Sequence, residues 1–442
     1  MSATGKRAVA DLLDDDGDAH NSLLHSQGAD GHRPPKKQQT STPSSKSYLS
    51  TLSYPSTSTP ILKQTPFQQP SQLISFSYTP EYVLEFTDSA LRYFVDPPVG
   101  AKLDYGYERW VRKPDERGRL DGLLKAISHI RKDPMRAPNL PEIGLVSWRG
   151  VMTKMLAAPY EEREGWDLNV MFVNGTLYLE EHLTEARLKE KNDMEPRQRR
   201  QSYFGYAFES YCTSETPTRQ NGPPSSGAPF GWGGDVNTNV QWCSVVRTKL
   251  GDTRMVIGGE VDCIRGRYTG KTDSFVELKT SLVIRGPHDE GRFEKKLLKF
   301  YLQSFLLGVP EILVGFRTPA GVVTTTQTFK TIHLPRLVRG KPDAWDPLIC
   351  LDWGHRFLTF LRKVVQAGDD VSSSSVWRVR FVPSSGVSVE LLSGQPDIDE
   401  VVNGEERVGF LPRWYWEEVA AHQQTPVKQT TATAATLTDW QL

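Results

Sequence analysis

The sequence predicts an α+β domain built around a mostly antiparallel or mixed sheet. Three observations carry that prediction. Hairpin patterns occur at 165–182 and 311–332. Two strongly apolar helical segments, 294–310 and 348–366, are interspersed with them. Between these lie two short runs, 255–264 and 274–281, that alternate apolar and charged residues in strand fashion.

The elements follow in chain order. Residues 1–68 are rich in Ser, Thr, Pro, Gln and Lys and hold few large apolar side chains. Such a stretch buries too little surface to offset chain entropy, so it reads as disordered. The folded region spans 69–423. In "GWDLNVMFVNGTLYLEEH", alternation on both sides of Asn174-Gly175 predicts a hairpin with a type I′ turn. Residues 213–238 are rich in Gly and Pro without periodicity and predict a long surface loop. "EKKLLKFYLQSFLLGVP" predicts a helix stopped at Gly308, with Pro310 beyond it. "EILVGFRTPAGVVTTTQTFKTI" predicts another hairpin, and "LICLDWGHRFLTFLRKVVQ" an amphipathic helix. The tail, 424–442, reads as disordered.

Composition narrows the function. The chain has 442 residues, 38% of them apolar, which suits a folded core with disordered additions. Its formal net charge is zero, so any nucleic-acid site must be a local basic patch rather than a global field. The four cysteines are far apart and form no CxxC pair, which argues against a zinc site or a disulfide framework. A reducing compartment fits better. No run approaches the ~18–20 apolar residues that span a bilayer, and the N-terminus lacks the apolar core of a signal peptide. The expectation is a soluble intracellular protein with no membrane partner.

The chemistry concentrates in "MVIGGEVDCIRGRYTGKTDSFVELKTS". Strand side chains alternate faces, so Glu260 and Asp262 share one face and Glu277 and Lys279 share another. If the two strands pair with these faces aligned, three carboxylates crowd together and need a cation or a proton between them. Oxygen ligands without sulfur suit Mg²⁺ or Mn²⁺. Lys279 would then serve a phosphate, and the set would support metal-assisted phosphodiester hydrolysis. The plainer reading is a hairpin with one solvated charged face. Gly258-Gly259 favours the first, because it lets another chain approach closely.

Other candidates surround this pair. Glu209 lies in "SYFGYAFESYC" at helical spacing, as a surface residue or as a further ligand delivered by a helix. Lys295, Lys299 and Gln303 form one polar stripe on an otherwise apolar helix, facing a cleft or snorkelling at an edge. Arg149 in "SWRG" suits phosphate, although an isolated arginine is usually superficial. Two basic clusters, "RPPKK" (33–37) and "EPRQRR" (195–200), stand apart, and the first has the composition of a nuclear import signal.

Taken in order, "SWRG", "GYAFE", "GGEVDC", "VELKTS" and "KLLKFYLQSFLLGVP" resemble the motif set of the DXO family of decapping nucleases. The resemblance covers about residues 70–420. It implies two mixed β-sheets flanked by helices, with a core like that of PD-(D/E)XK nucleases. It implies action on RNA 5′ ends: release of pyrophosphate from 5′ triphosphates, removal of incompletely methylated caps and, in many members, of NAD caps. By motif, Glu209, Glu260, Asp262 and Glu277 would hold Mg²⁺ or Mn²⁺ directly or through water, with the main-chain carbonyl of Leu278 nearby. Lys279 and Gln303 would hold the scissile phosphate or orient water, Lys299 would line the cleft, and Arg149 would contact the RNA 5′ end. The intact "SWRG" resembles the fungal members that are nuclear and partner the nuclear 5′→3′ exoribonuclease. The other fungal kind is cytoplasmic and carries its own exonuclease activity.

Overall fold

A computed structural model of the chain describes residues 49–57, 61, 63–140, 142–218, 227–367, 372–402 and 406–421. The basic cluster at 33–37 and the tail at 424–442 lie outside them.

The described strands form two principal sheets. The larger holds β1 (Leu49–Ser53), β2 (Phe67–Tyr78), β3 (Leu84–Glu85), β5 (Leu145–Trp148), β6 (Trp166–Val173), β7 (Thr176–Glu181), β9 (Gln241–Leu250), β10 (Thr253–Glu260), β15 (Trp377–Val382) and β16 (Gly386–Leu391). Their spatial order is β1-β16-β15-β6-β7-β5-β10-β9-β2-β3. The smaller sheet holds β4 (Tyr93–Phe94), β8 (Thr213–Ser214), β11 (Cys263–Ile264), β12 (Phe275–Leu282), β13 (Glu311–Arg317) and β14 (Val323–Lys330), in the order β14-β13-β12-β11-β4-β8. A further pair, β17 (Arg407–Val408) and β18 (Leu411–Pro412), stands apart. Both principal sheets are mixed: β5 runs parallel to β7 and β10, and β12 runs parallel to β13.

The helices are α1 (Asp121–Lys132), α2 (Arg149–Ala157), α3 (Glu185–Asn192), α4 (Pro196–Cys212), α5 (Pro287–Leu307), α6 (Leu334–Val338), α7 (Pro347–Gln366), α8 (Gln395–Val402) and α9 (Arg413–Ala421). The alternation of strand side chains sorts them into layers. On β10, Met255 and Ile257 face a core shared with α2, α5 and α7, whereas Val256 faces α1 and Tyr415 of α9. On β12, Val276 and Leu278 meet Tyr203, Phe204 and Phe208 of α4. The shared core therefore lies between the sheets, and α4 and α1 cover their outer faces.

The expected α+β class and the pair of mixed sheets flanked by helices are both present. The 166–181 hairpin turns at Asn174 (φ 49°) and Gly175 (φ 84°), the positive pair that a type I′ turn requires. Helix α5 ends at Gly308 with φ 73°, but it starts at Pro287, seven residues before the expected start, where proline's missing N–H costs nothing. Helix α7 begins where the Asp346 side chain accepts from Leu348 N–H.

Two expectations need correction. The disordered reading of 1–68 runs too far, because Leu49–Ser53 pairs antiparallel with β16. Its composition is polar, yet Leu52 and Tyr54 pack on the core, and Tyr54 donates to the carbonyls of Pro159 and Glu161. The larger correction concerns the acidic strands. They do not form one hairpin: β10 ends at Glu260 in the large sheet, and Cys263 already pairs with Val276 in the small one. Val261 and Asp262 carry the chain across.

Of the predicted loop, 219–226 lie outside the described residues. Thr213–Ser214 is β8, and the return limb is fastened to segment 105–113. Arg109 forks onto Asp235 at 2.7 and 3.0 Å, Trp232 meets Tyr105 edge-on, and Val111 bridges to Asn237.

Candidate functional site

The crossing at Val261–Asp262 builds the site. Glu260 is the last residue of β10, where Gln241 Nε2 donates to its Oε2 at 3.0 Å. Glu260 sits opposite Cys243, so Gln241 is its diagonal neighbour on β9. Asp262 hangs between the sheets, and its Oδ2 accepts Leu278 N–H at 2.6 Å. On β12, Leu278 turns to α4 while Glu277 and Lys279 take the other face. Glu277 is 1% exposed. Arg149 Nη1 lies 3.0 Å from its Oε2, and Lys279 Nζ lies 3.0 Å from its Oε1.

The predicted glycine approach is real. Arg149 opens α2 directly after β5, and β5 pairs in parallel with β10 so that Trp148 stands beside Gly258. A Cβ on Gly258 would lie 2.7 Å from the Trp148 ring. One on Gly259 would lie 2.8 Å from Leu307 Cδ1 and 3.0 Å from Arg149 Cβ. Two side chains without Cβ thus let Arg149 reach across to Glu277.

Glu209 arrives from α4, which is seated by Phe208 on Gly315 of β13, where an added Cβ would come within 2.4 Å of the ring. Burial, followed by the charges of Asp262 and Glu260, drives its carboxyl well above the usual range. Burial and the Glu277 charge push Asp262 up to about 8. Burial raises Glu260 too, against the pull of Arg149. Glu277 goes the other way: burial alone would raise it, but Arg149 and Lys279 outweigh that and hold it low. One charged carboxylate thus sits among three that resist ionising together.

Helix α5 flanks the cluster. Lys279 Nζ lies 5.9 Å from the Phe300 ring centre, and Gln303 is one turn further along the same helix. Gln303 Oε1 is buried without a hydrogen-bond partner. The stripe emerges into solvent at Lys299, which lies 3.8 Å from Glu161 and stands outside the carboxylate cluster, and at Lys295, which faces Asp343.

The structure therefore gathers Glu209, Glu260, Asp262, Glu277, Lys279 and Arg149. Three neighbours escaped the sequence reading: Gln241 on Glu260, Lys113, whose charge acts on Glu260, and Tyr206, beside Glu209 and Glu260. Tyr206 was legible as the residue one turn before Glu209. Gln241 and Lys113 were not, because only the β9–β10 register and the 105–113 path bring them in.

The donor set suits a hard divalent cation. It is all oxygen, Glu209 and Asp262 are kept from ionising by burial and by the neighbouring carboxylates, and Gln303 leaves a buried acceptor unpaired. Among the described residues no three His, Cys, Asp or Glu side chains are already drawn into a cation cage. Glu277 is instead engaged by Arg149 and Lys279.

Comparison with known proteins agrees with this architecture. Residues 68–416 match the family model described as RAI1 like PD-(D/E)XK nuclease. The decapping nuclease RAI1 of Mycosarcoma maydis is 36% identical, over 80% of this chain and 88% of its own. The decapping and exoribonuclease protein of Xenopus laevis is 34% identical, over 80% and 86%. Among solved structures, Scheffersomyces stipitis Rai1 aligns with a TM-score of 0.68 at 25% identity, over 84% of this chain and 99% of that one. Candida albicans Rai1, solved with pU5 and Mn²⁺, aligns with a TM-score of 0.69 at 23% identity, over 85% and 99%. With its two mixed sheets and the acid, acid-x-lysine order of Asp262, Glu277 and Lys279 at their seam, the chain belongs to the RAI1-like family of PD-(D/E)XK nucleases.

Proposed function

We propose that this decapping nuclease is a divalent-cation-dependent hydrolase of RNA 5′ ends. Its substrates are 5′-triphosphate RNA, incompletely methylated caps and NAD caps. The observation that carries the reading is the carboxylate cluster at the sheet seam with Lys279 and Arg149 in its midst. A cation held there would stabilise charge on the phosphate and provide a nucleophile at neutral pH.

The chain's own groups do the rest. Glu209, Glu260, Asp262 and Glu277 would hold the cation, with the Leu278 carbonyl beside them. A bound cation would need the carboxyls of Asp262 and Glu209, which burial and their neighbours' charges keep protonated, in their ionised form. Arg149 and Lys279 are already poised on Glu277 and turn their charge to the 5′ phosphates, where a planar fork and a point charge suit the task. Gln303 offers its unpaired Oε1 to orient water. Lys299 lines the approach.

The intact "SWRG" supports a nuclear protein that also partners the nuclear 5′→3′ exoribonuclease. The test uses RNA with a labelled 5′ triphosphate, incubated with Mg²⁺ and with Mn²⁺, beside 5′-monophosphate RNA and the Asp262→Asn variant. Expected is release of pyrophosphate from an intact RNA body, with the variant reduced at least ~10²-fold. Progressive loss of the RNA body would indicate an exonucleolytic enzyme instead. Full activity in the variant would sink the site assignment. A pull-down of the exoribonuclease with Asp262→Asn separates the two roles: capture survives if the partner surface lies away from the carboxylates and is lost if it includes them.

A further inference from the structure

The basic cluster at 195–200 has no part in the 5′-end chemistry, yet the fold ties it to the site. It forms the first turn of α4, the helix that delivers Glu209. Arg199, Tyr203, Tyr206 and Glu209 follow one another at spacings of four, three and three, which is one stripe of a helix. Ten residues separate Arg199 from Glu209, about 15 Å of helix, a distance a few extended nucleotides cover.

The stripe is walled by aromatic rings. Trp110 stands 5.8 Å from Tyr206 and 5.4 Å from Tyr203, and Tyr107 stands 5.3 Å from Tyr203, centre to centre. Tyr203 is fully buried and supports the others, which are partly exposed. Two exposed guanidinium groups lie over the outer rings: Arg199 is 5.9 Å from Trp110, and Arg200 is 5.2 Å from Tyr107. Lys113, three residues beyond Trp110 on the same segment, adds its charge toward Glu260 while its Nζ rests on the Tyr82 ring. The stripe therefore runs from exposed Arg199, past the rings, to Glu209.

We propose that this row is the track for the RNA body behind the bound 5′ end. Arg199 and Arg200 swing from the Trp110 and Tyr107 faces onto the backbone, and bases take their places on those rings beside Tyr206. Alternating rings and arginines fit a single strand without sequence preference, because every base has a face to stack. The proposal rests on the 5′-end reading above. It also answers an electrostatic need: a neutral protein with an acidic centre must supply local positive charge to hold a polyanion.

The test is the double variant Arg199→Gln/Arg200→Gln in the full chain, whose exposed side chains leave the core untouched. Two probes are 5′-triphosphorylated oligouridylates, one of two nucleotides and one of about ten. Expected is a rise of about tenfold in KM on the longer RNA, with kcat unchanged and both constants unchanged on the dinucleotide. Anisotropy titrations of the longer RNA between about 50 and about 200 mM salt should lose about 1.4 from the log–log slope, two phosphate contacts' worth. Equal losses on both lengths, or an unchanged slope, would overturn the track. So would unaltered affinity in the variant, which would leave the arginines free for an acidic protein partner. If the wild type holds the long RNA no tighter than the dinucleotide but cleaves both, the track fails alone. If it neither binds nor cleaves either, the 5′-end reading fails with it.

Discussion

Glu277 is the carboxylate the fold keeps charged, and two cations explain why. Arg149 and Lys279 each stand 3.0 Å from one of its oxygens, whereas Asp262 accepts the main-chain N–H of Leu278 at 2.6 Å. The two acids should therefore respond differently to neutralisation. Asp262→Asn keeps an acceptor for Leu278 N–H and removes a charge that its neighbours oppose, so the metal-free protein should melt no lower than wild type while turnover is lost. Paired calorimetry and cleavage assays check this. Glu277→Gln should instead lower the melting temperature, because it leaves two partly buried cations facing a neutral group. Gly259→Ala acts through space alone: its Cβ would press Leu307 and Arg149, costing about 1–3 kcal/mol of stability. Displacing Arg149 should also raise KM for 5′-triphosphate RNA well beyond what the stability loss explains.

At the scale of elements, what the sequence revealed depended on how local the cause was. The Asn174-Gly175 turn and the Gly308 stop follow from residues adjacent in the chain, and both were readable. The pairing of β10 and β12 was not. Alternation shows which residues share a face, but it does not say whether consecutive strands join the same sheet, and two residues sufficed to send β11 to the other one. Strand β1 was hidden for the opposite reason: its sequence is polar and its stability comes from β16 and the Tyr54 contacts. A chain beginning at Gln64 should thus melt several degrees lower, as thermal unfolding would show. Strand β7 gives a pH prediction. Burial pushes the Glu180 carboxyl up to about 7, although Arg119 and Asn169 both bond it. The folded protein then holds a proton that the unfolded chain, titrating near its ordinary 4.5, has released. Stability should fall as pH rises from that value through about 7. Urea midpoints across the window would record the slope, and Glu180→Gln should flatten it.

For the whole molecule, the two sheets share one apolar core and bring the carboxylate cluster together at their seam. A ligand at the seam therefore stabilises the entire fold. A divalent cation at about 100 times its Kd should add about 2.7 kcal/mol, read as a rise in melting temperature that Asp262→Asn abolishes. The crossing itself sets a further condition. Glu260 ends one sheet, Asp262 hangs beside the other, and one residue lies between them. Across two peptide units the Cα atoms can separate by no more than about 7 Å. The tether is short: the sheets are not free to drift apart at this point, and covalent bonds cap how far the two acids can separate. Lengthening it by a single inserted glycine would leave each layer intact while loosening the limit on how far Glu260 and Asp262 can part.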